Sequence, residues 1–328
     1  MGPPARRPRT LLGLSALTAA LLAAAVVTTP AIAALPGFDW PVQSFGNRGA
    51  DVRAIQSLLR GHGVTVAYDG IFTTDTRSAV IGFQEARGLP QTGVADAATW
   101  EQLVTSVGRG AAREAVLTLQ RQLNEKRAAG LVPTGTWDEP TAAAVRAFER
   151  HVGLPVDGIA DPTAWRYLIA HFDRPAFSSS ALCDYSVGNG LANWGTGAAI
   201  GQLEAAGRIA VAAGLGRIPV GDVGLEHGGN IAGHQTHELG LEVDVRPVRD
   251  RRDQCRWGTN WRLASYDRTA TRALIKAIRN AAPGHVKLIF FNDPKLIAEG
   301  WSTRFAGHDD HLHIRYCEVE HPVAAYRC

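Results

Sequence analysis

The chain has 328 residues, of which 45% are hydrophobic and 20% are charged, and its formal net charge is +3. This composition is typical of a globular protein, and the length allows two or three domains. The first 33 residues carry three Arg and no acidic residue, so their removal leaves a neutral protein and excludes an electrostatic argument for nucleic-acid binding.

Residues 1–33 have the features of a secretory signal peptide. Three Arg at positions 6–9 precede an apolar run at 11–27, and residues 31–33 read Ala-Ile-Ala, a small-x-small cleavage site. The alternative, an uncleaved membrane anchor, needs about 20 apolar residues, and this run is shorter. We therefore expect a secreted protein, extracellular or associated with the cell wall, without membrane contact after cleavage.

The four Cys lie at positions 183, 255, 317 and 328. An even number in an exported protein predicts two disulfide bonds, with three possible connectivities. The chain has no Cys-x-x-Cys pair, and thiolate ligation of a metal is therefore not expected. Because Cys183 and Cys328 bracket the last part of the chain, we expect Cys183–Cys328 together with Cys255–Cys317.

Residues 38–170 contain an internal repeat. VRAIQSLL at 52–59 matches VLTLQRQL at 116–123, and SAVIGF at 78–83 matches AAVRAF at 143–148. A Gly-Leu-Pro segment, a Gly, a Thr and a Trp follow in the same order in both units. The chain therefore carries two copies of one structural unit.

Each unit has three stretches with apolar residues at helical spacing, separated by turns that contain Gly or Pro. Asp96 and Asp161 precede the third stretch of their units, where an N-cap would start a short helix. We predict two small all-α three-helix modules, at 38–104 and 108–170.

The two units resemble the type 1 peptidoglycan-binding module, whose pattern runs Val-x-x-Leu-Gln, Asp-Gly, Thr, Ala-Val, Phe-Gln, Gly-Leu, Gly and Trp. The first unit has nearly all of this pattern, whereas the second has Thr134 in place of Asp69 and Glu149 in place of Gln84. The resemblance implies that peptidoglycan is a partner of the chain, although such modules can also act as spacers or pro-segments.

A short polar segment with a Pro and a run of Ser, at 171–180, predicts a linker to a last domain at 181–328. The expected elements of that domain are helices at 198–213 and 267–280 and strands at 218–225, 241–245, 286–291 and 312–316. We predict an α+β fold on a small, mostly antiparallel sheet, with 286–291 as a buried strand and His285 at the surface. The long charged loop 250–266 is expected to form a wall of a substrate cleft.

Two stretches of this domain contain five of the eleven His of the chain. They read His234-x-x-His237-x-x-Gly240-x-x-x-Asp244 and His308-x-x-His311-x-His313. Imidazole and carboxylate groups are ligands that zinc prefers. Because side chains alternate along a strand, His311 and His313 should share one face. His237, Asp244 and His313 would leave a fourth coordination position open, which is typical of a catalytic zinc site.

The two motifs resemble those of the penicillin-insensitive murein endopeptidases, within the lysostaphin and D-Ala-D-Ala zinc metallopeptidase superfamily. The resemblance covers roughly residues 181–328. It implies that His237, Asp244 and His313 bind zinc and that His234 lies near the metal. A second metal is not expected, because no Asp-x-x-His lies between the two motifs.

The same resemblance gives His311 and His308 a catalytic role. His311 would lie beside the water activated by zinc and His308 would be a further residue of the cleft, and either could be the general base. The implied function is a secreted zinc-dependent endopeptidase that hydrolyses peptide cross-links of the bacterial wall. A zinc D,D-carboxypeptidase or other peptidoglycan peptidase is an alternative, and a non-catalytic wall-binding protein is a second one.

Overall fold

A computed structural model describes residues 1–2, 38–186, 191–231, 234 and 236–328. The predicted signal peptide, apart from its first two positions, lies outside the described residues. Within the described ranges, none of the helices has the length and apolar character needed to cross a membrane.

Two sets of three helices occupy residues 38–170, in agreement with the predicted modules. The helices are α1 (Ala50–Gly61), α2 (Thr74–Ala86), α3 (Ala97–Leu103), α4 (Arg113–Arg127), α5 (Glu139–Val152) and α6 (Pro162–Ala170). Asp96 and Asp161 cap α3 and α6, because the carboxylate of each accepts the backbone N–H three residues further on. The sequence signals at these helix starts are confirmed.

The two sets of helices share one hydrophobic core. Trp100 and Trp165 are fully buried in it. Their indole N–H groups donate to the carbonyls of Pro41 and Thr105, at 2.7 and 2.9 Å. Replacement of either Trp by Ala would cost ~3–5 kcal/mol, because a large cavity would remain.

The position at which Glu149 replaces Gln84 has the same structural role in both units. Gln84 Oε1 accepts the N–H of Gly93 at 3.0 Å, and Glu149 Oε2 accepts the N–H of Gly158 at 3.0 Å. Both glycines adopt positive φ, 68° and 75°, which glycine tolerates best. The departure from the repeat therefore preserves the turn that this side chain supports.

Residues 181–328 form a mixed, mostly antiparallel sheet with helices packed against it. The elements are β1 (Leu182–Asp184), α7 (Gly197–Ala212), β2 (Ile218–Val220), β3 (Glu242–Val245), α8 (Arg268–Ala281), β4 (Val286–Phe290), α9 (Pro294–Ala298) and β5 (Leu312–Tyr316). The strand order is β1-β2-β3-β5-β4. Only the β1–β2 pair is parallel among these strands. A second hydrophobic core lies between the sheet and the packed pair α7 and α8.

The strand β4 differs from the buried strand that the sequence predicts. It lies at the edge of the sheet, and Ile289 is its one fully buried residue. Lys287 is exposed on the same strand, and its Nζ donates to the carbonyl of Arg327 at 2.7 Å. A lysine in a hydrophobic strand is a common feature of sheet edges, because it disfavours pairing with another chain.

The expected disulfide pairing is wrong. Cys183 bonds to Cys255, which joins β1 to the loop 250–266, and Cys317 bonds to Cys328, which ties the end of β5 to the C-terminal residues. The two bonds span 72 and 11 residues of sequence. The positions of Cys183 and Cys328 near the two ends of the last domain therefore did not indicate their partners, because sequence alone does not determine disulfide connectivity.

His285 is buried and does not lie at the surface as expected. Its Nδ1 is 2.9 Å from the carbonyl oxygen of Cys317, and its Nε2 is 3.3 Å from that of Phe45. Burial lowers the pKa of His285 and favours the neutral ring. Phe45 is 240 residues away, so no local pattern indicates this contact.

The helical part packs against the sheet domain through buried contacts. Lys126 is fully buried, with its Nζ 2.7 Å from Asp51 and 2.9 Å from Asp173, which lies in the segment predicted as a linker. Helix α1 also approaches α7 closely, since a Cβ at Gly201 would lie 2.6 Å from the Cα of Gly49. Both parts belong to one compact unit.

Candidate metal centre

The pairing of β3 with β5 brings the two His/Asp motifs together. In this antiparallel ladder Asp244 lies opposite His313, and His237 lies in the loop that leads to β3. His313 Nδ1 is 3.0 Å from Asp244 Oδ1, and His237 Nε2 is 3.5 Å from Asp244 Oδ2. The three side chains predicted as zinc ligands therefore converge.

The Nε2 atom of His237 is buried and has no hydrogen-bond partner among the described residues. The other ring nitrogen, Nδ1, lies 2.8 Å from the carbonyl oxygen of Val223. A carbonyl can only accept, so Nδ1 carries a proton, and in the neutral ring the lone pair is on Nε2. Metal-binding histidines commonly donate their second N–H to a carbonyl in this way. The unused nitrogen fits a metal ligand.

The charge of Asp244 is also suited to a cation. Burial alone would raise the pKa of Asp244, but the contacts with His237 and His313 outweigh it and hold that pKa far below its usual range. Burial opposes a proton on His237, yet the carboxylate of Asp244 raises the pKa of His237 overall. The carboxylate therefore attracts positive charge into the space between the imidazoles. Two nitrogens and one carboxylate are a donor set that zinc accepts.

His237 adopts a positive φ of 73°. This left-handed conformation is uncommon for a residue other than glycine, and such residues persist where the surrounding structure holds them and are enriched at functional sites. The side chain is 1% exposed. The strained backbone and the buried imidazole are consistent with a functional role for this position.

His234 lies beside the same group and pairs with a carboxylate that the sequence did not indicate. Its Nε2 is 3.1 Å from Asp222 Oδ2, and its ring centroid is 5.0 Å from that of His237. One ligand atom each of His234, His237 and Asp244 lies within 4.8 Å of the others. Asp222 stands outside both motifs and follows β2, so only its position in the fold identifies it.

His311 and His308 lie next to each other, with ring centroids 4.6 Å apart. His311 Nδ1 is 2.9 Å from Asp310 Oδ1, so a hydrogen bond from Nδ1 to this oxygen would place the lone pair of the neutral ring on Nε2. His308 packs against Phe305 at 5.3 Å and lies 5.5 Å from the ring of His313. Burial lowers the pKa of His308. The two candidates for the general base therefore have different surroundings.

A cleft of about 470 Å³ opens beside Asp244 and includes His311 in its lining. The loop 250–266 forms one wall of it, in agreement with the expectation, through Gly258, Thr259, Asn260 and Leu263. Tyr185 and Arg246 also line the cleft, and the Arg246 guanidinium lies 4.1 Å from the centroid of the Tyr185 ring. Sequence reasoning missed both of these residues, because neither belongs to a spaced motif.

Comparisons with known proteins concern the helical part of the chain. A family model for a peptidoglycan binding domain matches residues 48–103 and 112–168. No curated protein matches the chain. Among solved structures, the chain is similar to a peptidoglycan-binding protein from Clostridioides difficile in complex with glutamine hydroxamate, at 38% identity.

That similarity covers 20% of this chain and 40% of the solved chain, with a TM-score of 0.19. Each of the two family matches falls on one of the three-helix units described above. The chain therefore contains two peptidoglycan-binding modules, which make peptidoglycan a partner and suggest association with the cell wall.

Proposed function

We propose that the chain is a zinc-dependent endopeptidase that hydrolyses peptide cross-links of peptidoglycan. The observation that carries the proposal is the convergence of His237, Asp244 and His313 beside a cleft that His311 lines. Three protein ligands leave one position for water or substrate, which is typical of catalytic zinc sites. The Nε2 atom of His237, which is buried without a hydrogen bond and lies 3.5 Å from the Asp244 carboxylate, supports the fit of a metal.

Zinc bound by these three side chains would supply an activated water and polarise the scissile carbonyl. The residues of the chain would supply the proton transfers and the positioning. Asp310 orients His311 so that its Nε2 can accept a proton from the attacking water and return it to the leaving amine. Arg246 in the same cleft offers a fixed positive charge, which suits the carboxylates of a wall peptide.

The peptidoglycan-binding modules favour the insoluble wall as the substrate. Attachment through a separate binding module raises the effective concentration of substrate at a cleft. A wall peptidase with such modules would act mainly on cross-links near the point of attachment. This argument applies equally to a carboxypeptidase, so the product must distinguish the two activities.

The experiment uses a purified cross-linked muropeptide dimer, with products identified by mass spectrometry. We expect conversion to monomers, loss of the reaction with a chelator, and indifference to β-lactams. β-Lactams acylate the serine of Ser-x-x-Lys enzymes, and the sequence contains no Ser-x-x-Lys. Release of free D-alanine without monomers would favour the D,D-carboxypeptidase, and bound zinc without turnover of any muropeptide would favour the non-catalytic protein.

A further inference from the structure

A second group of potential metal ligands lies outside the candidate metal centre. It consists of His151, His171, Glu226 and His227, and one ligand atom of each lies within 4.8 Å of the others. We name it the junction cluster. Its residues are scattered along the sequence without a recognisable spacing, so it becomes visible only in the folded chain.

The junction cluster joins the second peptidoglycan-binding module to the sheet domain. His151 lies in the last turn of α5, and His171 follows α6 directly. Glu226 and His227 lie between β2 and β3. Ligands from both parts of the chain therefore meet at one point.

The carboxylate of Glu226 is the centre of the junction cluster. Its Oε1 is 3.0 Å from His151 Nε2 and 3.2 Å from His171 Nε2, and its Oε2 is 4.0 Å from His227 Nε2. Ligand atoms about 2.0–2.2 Å from a tetrahedral zinc ion are about 3.4 Å from one another. The three distances from the Glu226 carboxylate to the imidazole nitrogens, 3.0, 3.2 and 4.0 Å, lie on either side of this value.

The tautomer of His171 suits a metal. His171 Nδ1 lies 2.8 Å from the carbonyl oxygen of Phe172, so in the neutral ring the proton is on Nδ1 and the lone pair is on Nε2. Metal ligation requires an imidazole nitrogen that carries no proton.

Arg127 competes for the same atoms. Its guanidinium donates to Glu226 Oε1 and lies 3.2 Å from His171 Nε2. Arg127 is the last residue of α4 and its side chain is 22% exposed, so it can turn towards solvent. The side chains of His151 and His227 are 30% and 35% exposed, which gives an ion a path from solvent.

We propose that the junction cluster binds a divalent transition-metal ion, such as zinc, which fastens the second module to the sheet domain. Four protein ligands would close the coordination sphere, as in structural zinc sites. The ion would replace the Arg127 guanidinium, which now contacts Glu226 and His171. It would hold the two parts of the chain together. This site is separate from the centre at His237, Asp244 and His313.

The test is zinc stoichiometry, measured on the full chain by elemental mass spectrometry after addition of zinc and removal of the excess. The unaltered chain should keep two equivalents. The double variant His151→Gln/His227→Gln and the single variant His237→Ala should each keep one, because each loses a different site. Two equivalents in the double variant would overturn the proposal. The partly exposed His151 and His227 are chosen because replacement of the buried His171 could unfold the chain.

Two further readouts do not depend on activity. Zinc should raise the melting temperature of His237→Ala but not that of the variant with all three substitutions. Arg127→Gln should tighten zinc binding in the His237→Ala background by roughly tenfold, since it removes a competing charge-assisted hydrogen bond. Weaker zinc binding by the Arg127→Gln variant would contradict the proposal that the ion and the Arg127 guanidinium compete for the same position.

Discussion

Asp244 and His313 face each other across the antiparallel ladder of β3 and β5, with Oδ1 and Nδ1 3.0 Å apart. Both Cα atoms are fixed by the hydrogen-bonded pairing of the strands. Two of the three proposed zinc ligands therefore sit on rigid elements, which hold a site more accurately than loops do. The third, His237, is held by its hydrogen bond to Val223.

His313→Ala and Asp244→Ala should each lose one equivalent of bound zinc together with the endopeptidase activity, because each removes one of only three protein ligands. Zinc content and muropeptide turnover are measured on the same preparation. His62→Ala, in the first module, is the matched control and should keep both. Full zinc content in either ligand variant would contradict the assignment.

His311→Ala should keep its zinc and lose activity by ~10²–10⁴-fold, the usual contribution of a general acid–base residue. Asp310→Asn acts through His311, so its kcat should fall by less than that of His311→Ala, and its KM should not change. Steady-state kinetics on the muropeptide dimer separate the two parameters. If His311→Ala emptied the metal centre, His311 would be a ligand and not the proton carrier.

Lys126→Met should destabilise the chain by ~3–5 kcal/mol, because it leaves the buried carboxylates of Asp51 and Asp173 without their cation. Urea unfolding measures the change. Lys276→Met is the control, since this lysine is exposed and surface substitutions usually change stability by less than about 0.5 kcal/mol. Equal stabilities of the two variants would show that the buried lysine contributes no net stability.

Glu318 should make folding stability depend on pH near neutrality. Burial raises the pKa of Glu318 to about 7, while a hydrogen bond with Asn47 opposes the shift. The folded chain therefore retains a proton that the unfolded chain has released. The associated stability is fully present below about pH 4.5 and is lost as the pH rises through 7, a change of up to about 3 kcal/mol.

The measurement compares unfolding free energies from pH 5 to pH 8. Glu318→Gln should remove this part of the pH dependence, because the amide does not titrate. The matched control Glu320→Gln changes an exposed residue two positions away and should leave the dependence intact. The same slope in Glu318→Gln and in the unaltered chain would contradict the assignment.

The sequence was sufficient for the helical units and for the residues of the candidate metal centre. The repeat, the capping aspartates and the fixed offsets of His237, Asp244, His311 and His313 are all local patterns, and the strand pairing brings the two motifs together as expected. The presence of zinc at that centre and the peptidase activity of the chain remain predictions.

The features that the sequence did not indicate depend on contacts between distant residues. Asp222 and Arg246 reach the cleft only through the order of the strands, and no spacing marks the junction cluster. The edge position of β4 follows from which strands pair, although Lys287 was a local hint. Cysteine positions do not fix disulfide partners, which explains the wrong pairing.

The burial of Lys126 between Asp51 and Asp173 has a consequence for how the chain would work on the wall. Modules on a flexible tether would let a cleft sweep over many neighbouring bonds. Here the modules and the cleft belong to one compact unit, so the distance between a wall segment bound by the modules and a peptide bound in the cleft would be constant. While the chain is attached, its cleft would reach only the bonds that lie at that distance and in that direction. To reach other bonds, the chain would have to detach completely and bind again.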